Sequence, residues 1–191
     1  MQLRIFALGA IVVLVVAGAG VRELSQVGIQ QGYSPVQPIA FPHSVHAGKN
    51  KIPCLYCHYA ARSSRHAGIP PASICMNCHK LLEKQTVEIE KLREAVQMQR
   101  PIKWIKIHNL PDFVYFNHSQ HVLSGVQCQR CHGPIEQMDR VKQAAPLTMG
   151  WCLDCHRDRS GQAASTVRRV VINASRQTTP ASSLDCGSCH H

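Results

Sequence analysis

The sequence predicts a mostly irregular chain with short α-helices, packed around groups other than its own hydrocarbon side chains and led by one N-terminal transmembrane helix. Three observations predict it. An uncharged apolar run from Ile5 to Val21 is long enough to cross a bilayer. Aromatic residues make up only 5% of the 191 residues, and four Phe and two Trp cannot fill the interior of an ordinary globule of this size. Cysteine and histidine are in excess, at 10 and 12, and every cysteine belongs to one repeated short motif. A hydrophobic content of 45% with 17% charged residues excludes a wholly disordered chain. No sustained repeat supports a coiled coil or a collagen helix.

The first element is the anchor, residues 1–24. Arg4 precedes the run IFALGAIVVLVVAGAGV and Arg22-Glu23 follows it. The alternative is a cleaved export signal, with Ala17-Gly18-Ala19 as the small-residue site, but the run is longer than a typical signal core. The reading adopted is a retained single-pass anchor with Arg4 on the cytoplasmic side and the remaining chain outside.

The cysteines form five motifs: Cys54-Leu-Tyr-Cys57-His58, Cys75-Met-Asn-Cys78-His79, Cys128-Gln-Arg-Cys131-His132, Cys152-Leu-Asp-Cys155-His156 and Cys186-Gly-Ser-Cys189-His190. This is the attachment pattern of c-type haem. Two thiols three residues apart reach the two vinyl groups on one porphyrin edge and form thioethers, and the adjacent His lies under the ring to bind iron from one face. Zinc is the serious rival, since the spacings from Cys57 to Cys75 and from Cys131 to Cys152 suit a four-cysteine ribbon. Two ribbons strand the fifth pair, and zinc gives no reason for a His after every pair. At this chain's His frequency, five out of five arises by chance about once in a million sets. A disulfide scaffold explains the His no better. The expectation is therefore a multihaem cytochrome c with five covalent haems c, whose porphyrins supply the buried apolar mass. His58, His79, His132, His156 and His190 are the expected proximal ligands.

Seven other His remain, and four lie in a duplicated phrase. Phe41-Pro-His43-Ser-Val-His46 precedes the first haem motif, and Phe116-Asn-His118-Ser-Gln-His121 precedes the third. Two His three apart sit on one side of a helical turn yet splay enough to serve different irons. His43, His46, His118 and His121 are the expected distal ligands. The fifth is open between Met149, three residues before Cys152, and His108, with His66 a weaker competitor in a Ser/Arg-rich stretch. Saturating every iron from both sides leaves no vacant position for substrate. The expected role is electron transfer, with no catalytic residue on this chain.

These motifs divide the chain. Residues 25–40 read as a tether, 41–99 as a first di-haem unit with a helix, 100–159 as a second di-haem unit, and 160–191 as an extended tether and terminal haem. The helix is expected over Lys80–Gln99, from Leu82, Ile89, Leu92 and Val96, with a Lys84–Glu88 pair and a stop at Arg100-Pro101. Within the second tether Val167–Ile172 is compatible with a strand.

The charge of +10 invites a nucleic-acid reading, which fails. Each oxidised haem c with two neutral ligands and ionised propionates adds about −1, so five bring the total to about +5 and reduction takes it to about zero. No basic-and-aromatic nucleic-acid motif is present.

The phrase Phe-x-His-x-x-His ahead of a haem motif resembles the class III multihaem cytochromes c. Its combination with the anchor, five haem motifs, Trp104…His108-Asn-Leu-Pro-Asp-Phe-Val-Tyr-Phe116 and Leu147-Thr-Met149-Gly-Trp151-Cys152 closely resembles the membrane-anchored pentahaem subunit of alternative complex III. That resemblance implies an electron wire in a complex that oxidises membrane quinol and reduces a soluble periplasmic acceptor, in a respiratory or photosynthetic chain. Its implied partners are integral membrane quinol-binding subunits, an iron–sulfur subunit and a monohaem cytochrome c subunit. The implied location is the cytoplasmic (inner) membrane, with the haem domain on the periplasmic side. By analogy with trihaem relatives, it makes Met149 a ligand of the terminal haem. A self-contained, membrane-anchored multihaem quinol dehydrogenase is the alternative, weakened by the more than thirty residues between Val21 and Cys54. A multihaem reductase would need a five-coordinate iron.

Overall fold

The computed structural model describes residues 2–25, 27–82, 86–157 and 184–190. Among them the architecture is helical, with no strand. Helix α1, Gln2–Ser25, contains a stretch from Phe6 to Leu24 long and apolar enough to cross a membrane. At 1.5 Å per residue its 24 residues extend about 36 Å. None of that stretch is buried against the rest of the chain.

The remaining helices are short: α2 (Cys54–Cys57), α3 (Ala72–His79), α4 (Val87–Gln97), α5 (His118–Leu123), α6 (Gln129–His132) and α7 (Met149–Arg157). Single turns at Ser44–Lys49, Tyr59–Arg62, Ile135–Gln137 and Cys186–Ser188 complete the set. The chain's own apolar core is correspondingly small. Among the described residues only Ala61, Leu92, Met138, Ala145 and Leu147 are buried hydrophobics.

Residues 27–40 form neither helix nor strand, turning at Val27–Gly28 and Gln31–Gly32, and they lie along the second unit. Gly32 N–H donates to Gln143 O at 2.7 Å, Gln143 N–H to Tyr33 O at 3.0 Å, and Ser34 Oγ to Val141 O at 3.0 Å. Gln37 exchanges two bonds with the Ile105 backbone, and Ala40 N–H reaches a Glu88 carboxylate oxygen at 2.6 Å. The segment thereby stitches α4 to the second half of the chain.

The helix expected over Lys80–Gln99 is shorter at its start. Lys80 closes α3, Leu81 and Leu82 are exposed, and α4 begins at Val87. The reason is local: Thr86 is extended and its hydroxyl accepts the Ile89 N–H, an N-cap that starts a new helix. Leu92 is buried as the apolar stripe requires, and Glu88 pairs with Lys91 at 2.8 Å. Lys84, the Ser160–Pro180 tether with Val167–Ile172, and His191 lie outside the described residues.

Two phrases dock across the halves of the molecule in equivalent ways. Ser44, after His43, donates its N–H to Met138 O at 3.1 Å; Ser119, after His118, donates its N–H to Ser64 O at 3.2 Å. Met138 and Ser64 are each six residues beyond the motif His of the opposite half. The turn Ser44–Lys49 packs on Ile135–Gln137, and α5 packs on Tyr59–Arg62. Gly48 permits the first contact, because a Cβ there would overlap the Glu136 carbonyl. The halves are thus interlocked by an approximate internal two-fold.

Candidate haem centres

Each motif sits on a helical turn that places its two thiols on one side and its His one position further round. His58, His132 and His190 N–H each close the turn onto the carbonyl of the first Cys, at 2.9, 3.0 and 2.9 Å. The second and fourth motifs lie inside α3 and α7. No cysteine is paired in a disulfide. Burial pushes the Cys57, Cys75, Cys128, Cys131 and Cys152 thiols above their ordinary range.

The histidines meet in pairs. A His nitrogen lies about 2 Å from a first-row metal and about 1 Å from its own ring centre, so imidazoles on opposite faces of one iron have centroids about 6 Å apart. His46 and His79 stand 6.1 Å apart, His121 and His156 6.1 Å, and His118 and His132 6.4 Å. The first two pairs have nearly the same tilt, 51° and 50°. In each, the second His of a phrase meets the second motif of its own half. His43 completes the pattern near His58, where burial first, then His58 and His46, hold its pKa down at about 4. His132 is also held at about 4, by burial and then by His108, His118, His58 and His43. These two are neutral at neutral pH, the form that binds metal.

Ring orientation is set by the second nitrogen. Nδ1 donates to a backbone carbonyl in His46 (Pro42, 2.9 Å), His58 (Gly68, 2.7 Å), His118 (Arg65, 2.8 Å), His121 (Asn117, 2.8 Å) and His190 (Phe113, 3.0 Å). Each bond fixes the tautomer that leaves the Nε2 lone pair outward, as in metal-ligating His generally. The phrase Phe adds a second constraint. Phe41 lies 4.1 Å from His46, nearly parallel, and 4.8 Å from His43, edge to face. Phe116 repeats this at 4.4 Å from His121 and 4.8 Å from His118. Sequence reasoning counted the histidines but gave the Phe no task.

The candidates for the fifth distal position separate. His108 is half-buried, with its Nε2 3.0 Å from His132 Nδ1. His66 is exposed beside Ser64. Met149 is exposed at the start of α7, on the rim of a cavity of about 350 Å³ with Val27, Ile29, Leu110 and Pro111. The terminal motif lies nearby. Tyr115 N–H donates to Cys189 O at 2.9 Å, and Cys189 is close enough to Cys152, one turn along α7 from Met149, to raise its pKa.

The residues fit covalent haem: thiol pairs beside imidazoles, and imidazole pairs spaced for one iron. A fully buried Gln143 also holds its Nε2 donor without a partner among the described residues, and a porphyrin propionate is an acceptor of the right kind. Comparison with known proteins agrees. Residues 114–191 match the family of cytochrome c7 and related cytochrome c. The chain is also 29% identical over 157 residues, 81% of its length, to a protein of Nitratidesulfovibrio vulgaris strain Hildenborough, of which the match covers 67%. That relative is described as the multihaem cytochrome c subunit of a menaquinone reductase. The motifs, the helical fold and these matches together give the chain the architecture of a multihaem cytochrome c and make it similar to electron-transfer proteins that carry covalent c-type haem.

Proposed function

We propose that this chain holds five haems c and conducts electrons as the anchored wire of a membrane quinol-oxidising complex of the alternative complex III kind. Each haem, when bound, supplies a one-electron iron couple. The protein attaches the porphyrins through its ten cysteines and aims paired imidazoles from His43 and His58, His46 and His79, His118 and His132, and His121 and His156. His190 and Met149 are the proposed pair for the terminal haem, because α7 brings Met149 beside Cys152 and the terminal motif meets Phe113 and Tyr115. The observation that carries the reading is the repeated 6 Å imidazole pairing, which uses both coordination faces and leaves a conducting role.

Helix α1 would retain the chain at the inner membrane with its haem domain on the periplasmic side, where covalent attachment takes place. Integral quinol-binding subunits, an iron–sulfur subunit and a monohaem cytochrome c are the proposed neighbours, with a soluble periplasmic acceptor. The relative's name supports the opposite direction as a second reading, in which electrons reach menaquinone through the same wire.

The test is mild detergent extraction of native membranes, haem-stained native gels and mass spectrometry of what migrates with the chain. Co-migration with an iron–sulfur subunit and polytopic proteins, and reduction of its haems by quinol only in that assembly, is the expected result. A chain that migrates alone and is reduced directly by quinol is a standalone dehydrogenase instead. Electron paramagnetic resonance (EPR) should show only low-spin haem; a high-spin signal would point to a reductase.

A further inference from the structure

The internal two-fold is broken at two imidazoles: His118 Nδ1 donates to Arg65 O at 2.8 Å, whereas the equivalent His43 Nδ1 is buried without a hydrogen-bond partner among the described residues, and the motif histidines differ as well. In the first half, His58 Nδ1 donates to a backbone carbonyl, that of Gly68, at 2.7 Å. In the second half, the equivalent nitrogen of His132 faces the Nε2 of His108 at 3.0 Å, with the rings 80° apart in plane and 4.4 Å between centroids. If His132 binds iron through Nε2, its Nδ1 carries the proton and donates, so His108 accepts through Nε2 and keeps its own proton on Nδ1. The lone pair that would have made His108 a distal ligand is then engaged.

An imidazole nitrogen is far more basic than an amide oxygen, so it draws the His132 proton further from the ring. The ligand gains imidazolate character, and greater ligand basicity favours ferric over ferrous iron. We infer that His108 is a positioning residue that tunes the third haem through His132, setting its potential below the value that a carbonyl partner, such as the one His58 has, would give. This rests on the reading that His58 and His132 each hold an iron. It makes one side chain a lever on the third haem alone, since the Nδ1 bonds of His58 and His190 go to backbone carbonyls.

The test uses the full haem-loaded chain in detergent, as wild type, His108→Leu and His108→Gln, the last retaining an acceptor oxygen. Haem per chain comes from the pyridine haemochrome and intact mass, spin state and g-values from EPR, and midpoint potentials from titration. His118→Ala marks the third haem by making it high-spin. The expected result is five low-spin haems in all three proteins, with one potential, that of the marked haem, shifted upward in His108→Leu together with its g-values. His108→Gln should return most of that shift. Unchanged potentials and g-values in His108→Leu would overturn the inference, and so would a high-spin signal there, which would make His108 a distal ligand. A wild-type chain with fewer than five thioether-linked haems would fail the ligand reading itself, and the inference with it.

Discussion

Phe41 and Phe116 touch both histidines of their own phrase, one ring face-on and one edge-on, so a single side chain sets the azimuth of two proposed iron ligands. Replacing Phe41 by Leu removes aromatic contacts worth about 0.5–1.5 kcal/mol beyond area burial. The haem-loaded variant should unfold at lower temperature and show displaced low-spin EPR g-values, while retaining its full haem complement. Removing a ligand is more drastic. His46→Ala and His121→Ala should each turn one haem high-spin, and the double variant two, as counted by EPR. At this scale the sequence was informative wherever the pattern is local: the Cys-x-x-Cys-His motifs sit on helical turns, and the second His of each phrase stands 6.1 Å from a motif His. His108 was legible only as a spare histidine. Its partner lies 24 residues away, and nothing around Ile107 or Asn109 announces the contact.

Helix α4 shows what an element adds to its residues. The apolar spacing pointed to a helix, and Leu92 is its buried centre, but the start was placed too early because Thr86 was not recognised as a cap. Thr86→Ala should cost about 1 kcal/mol, seen as lower thermal stability and faster amide exchange in the first turn. Near that end, the Lys91 ammonium first, then the Ala40 amide, hold the Glu88 carboxyl below its ordinary range. Its folded value is depressed, so the contribution is full above the ordinary carboxylate range and is lost as pH falls through the folded value. The amide-exchange protection factor of Ala40 should therefore decline with acid, and Glu88→Gln should remove that dependence. From its composition the segment after the anchor reads as a tether. Its hydrogen bonds to Val141 and Gln143 were not legible, because they join residues more than a hundred positions apart.

Across the whole molecule, the duplication in sequence becomes an exchange of contacts in space. Reading two phrases and four motifs in order suggested two successive di-haem units, whereas each phrase is seated by the opposite half, at Met138 and at Ser64 and Arg65. Repeats reveal units but not which unit holds which. Gly48→Ala should loosen this arrangement by about 1–3 kcal/mol, because the turn must move off the Glu136 carbonyl; a lowered melting temperature of the haem-loaded chain checks it. The exchange also bears on biogenesis. A chain emerging from the export machinery presents His43 and His46 long before Met138 exists to seat them. On the proposed reading, haems attached to the first two motifs at that stage meet proposed ligands that are not yet seated and are still free to choose between irons. Only after Met138 has emerged can the first phrase be seated, whereas the second finds Ser64 and Arg65 already present, so a chain stalled between Gln99 and Cys128 should carry any haems attached to its first two motifs without the native seating of His43 and His46.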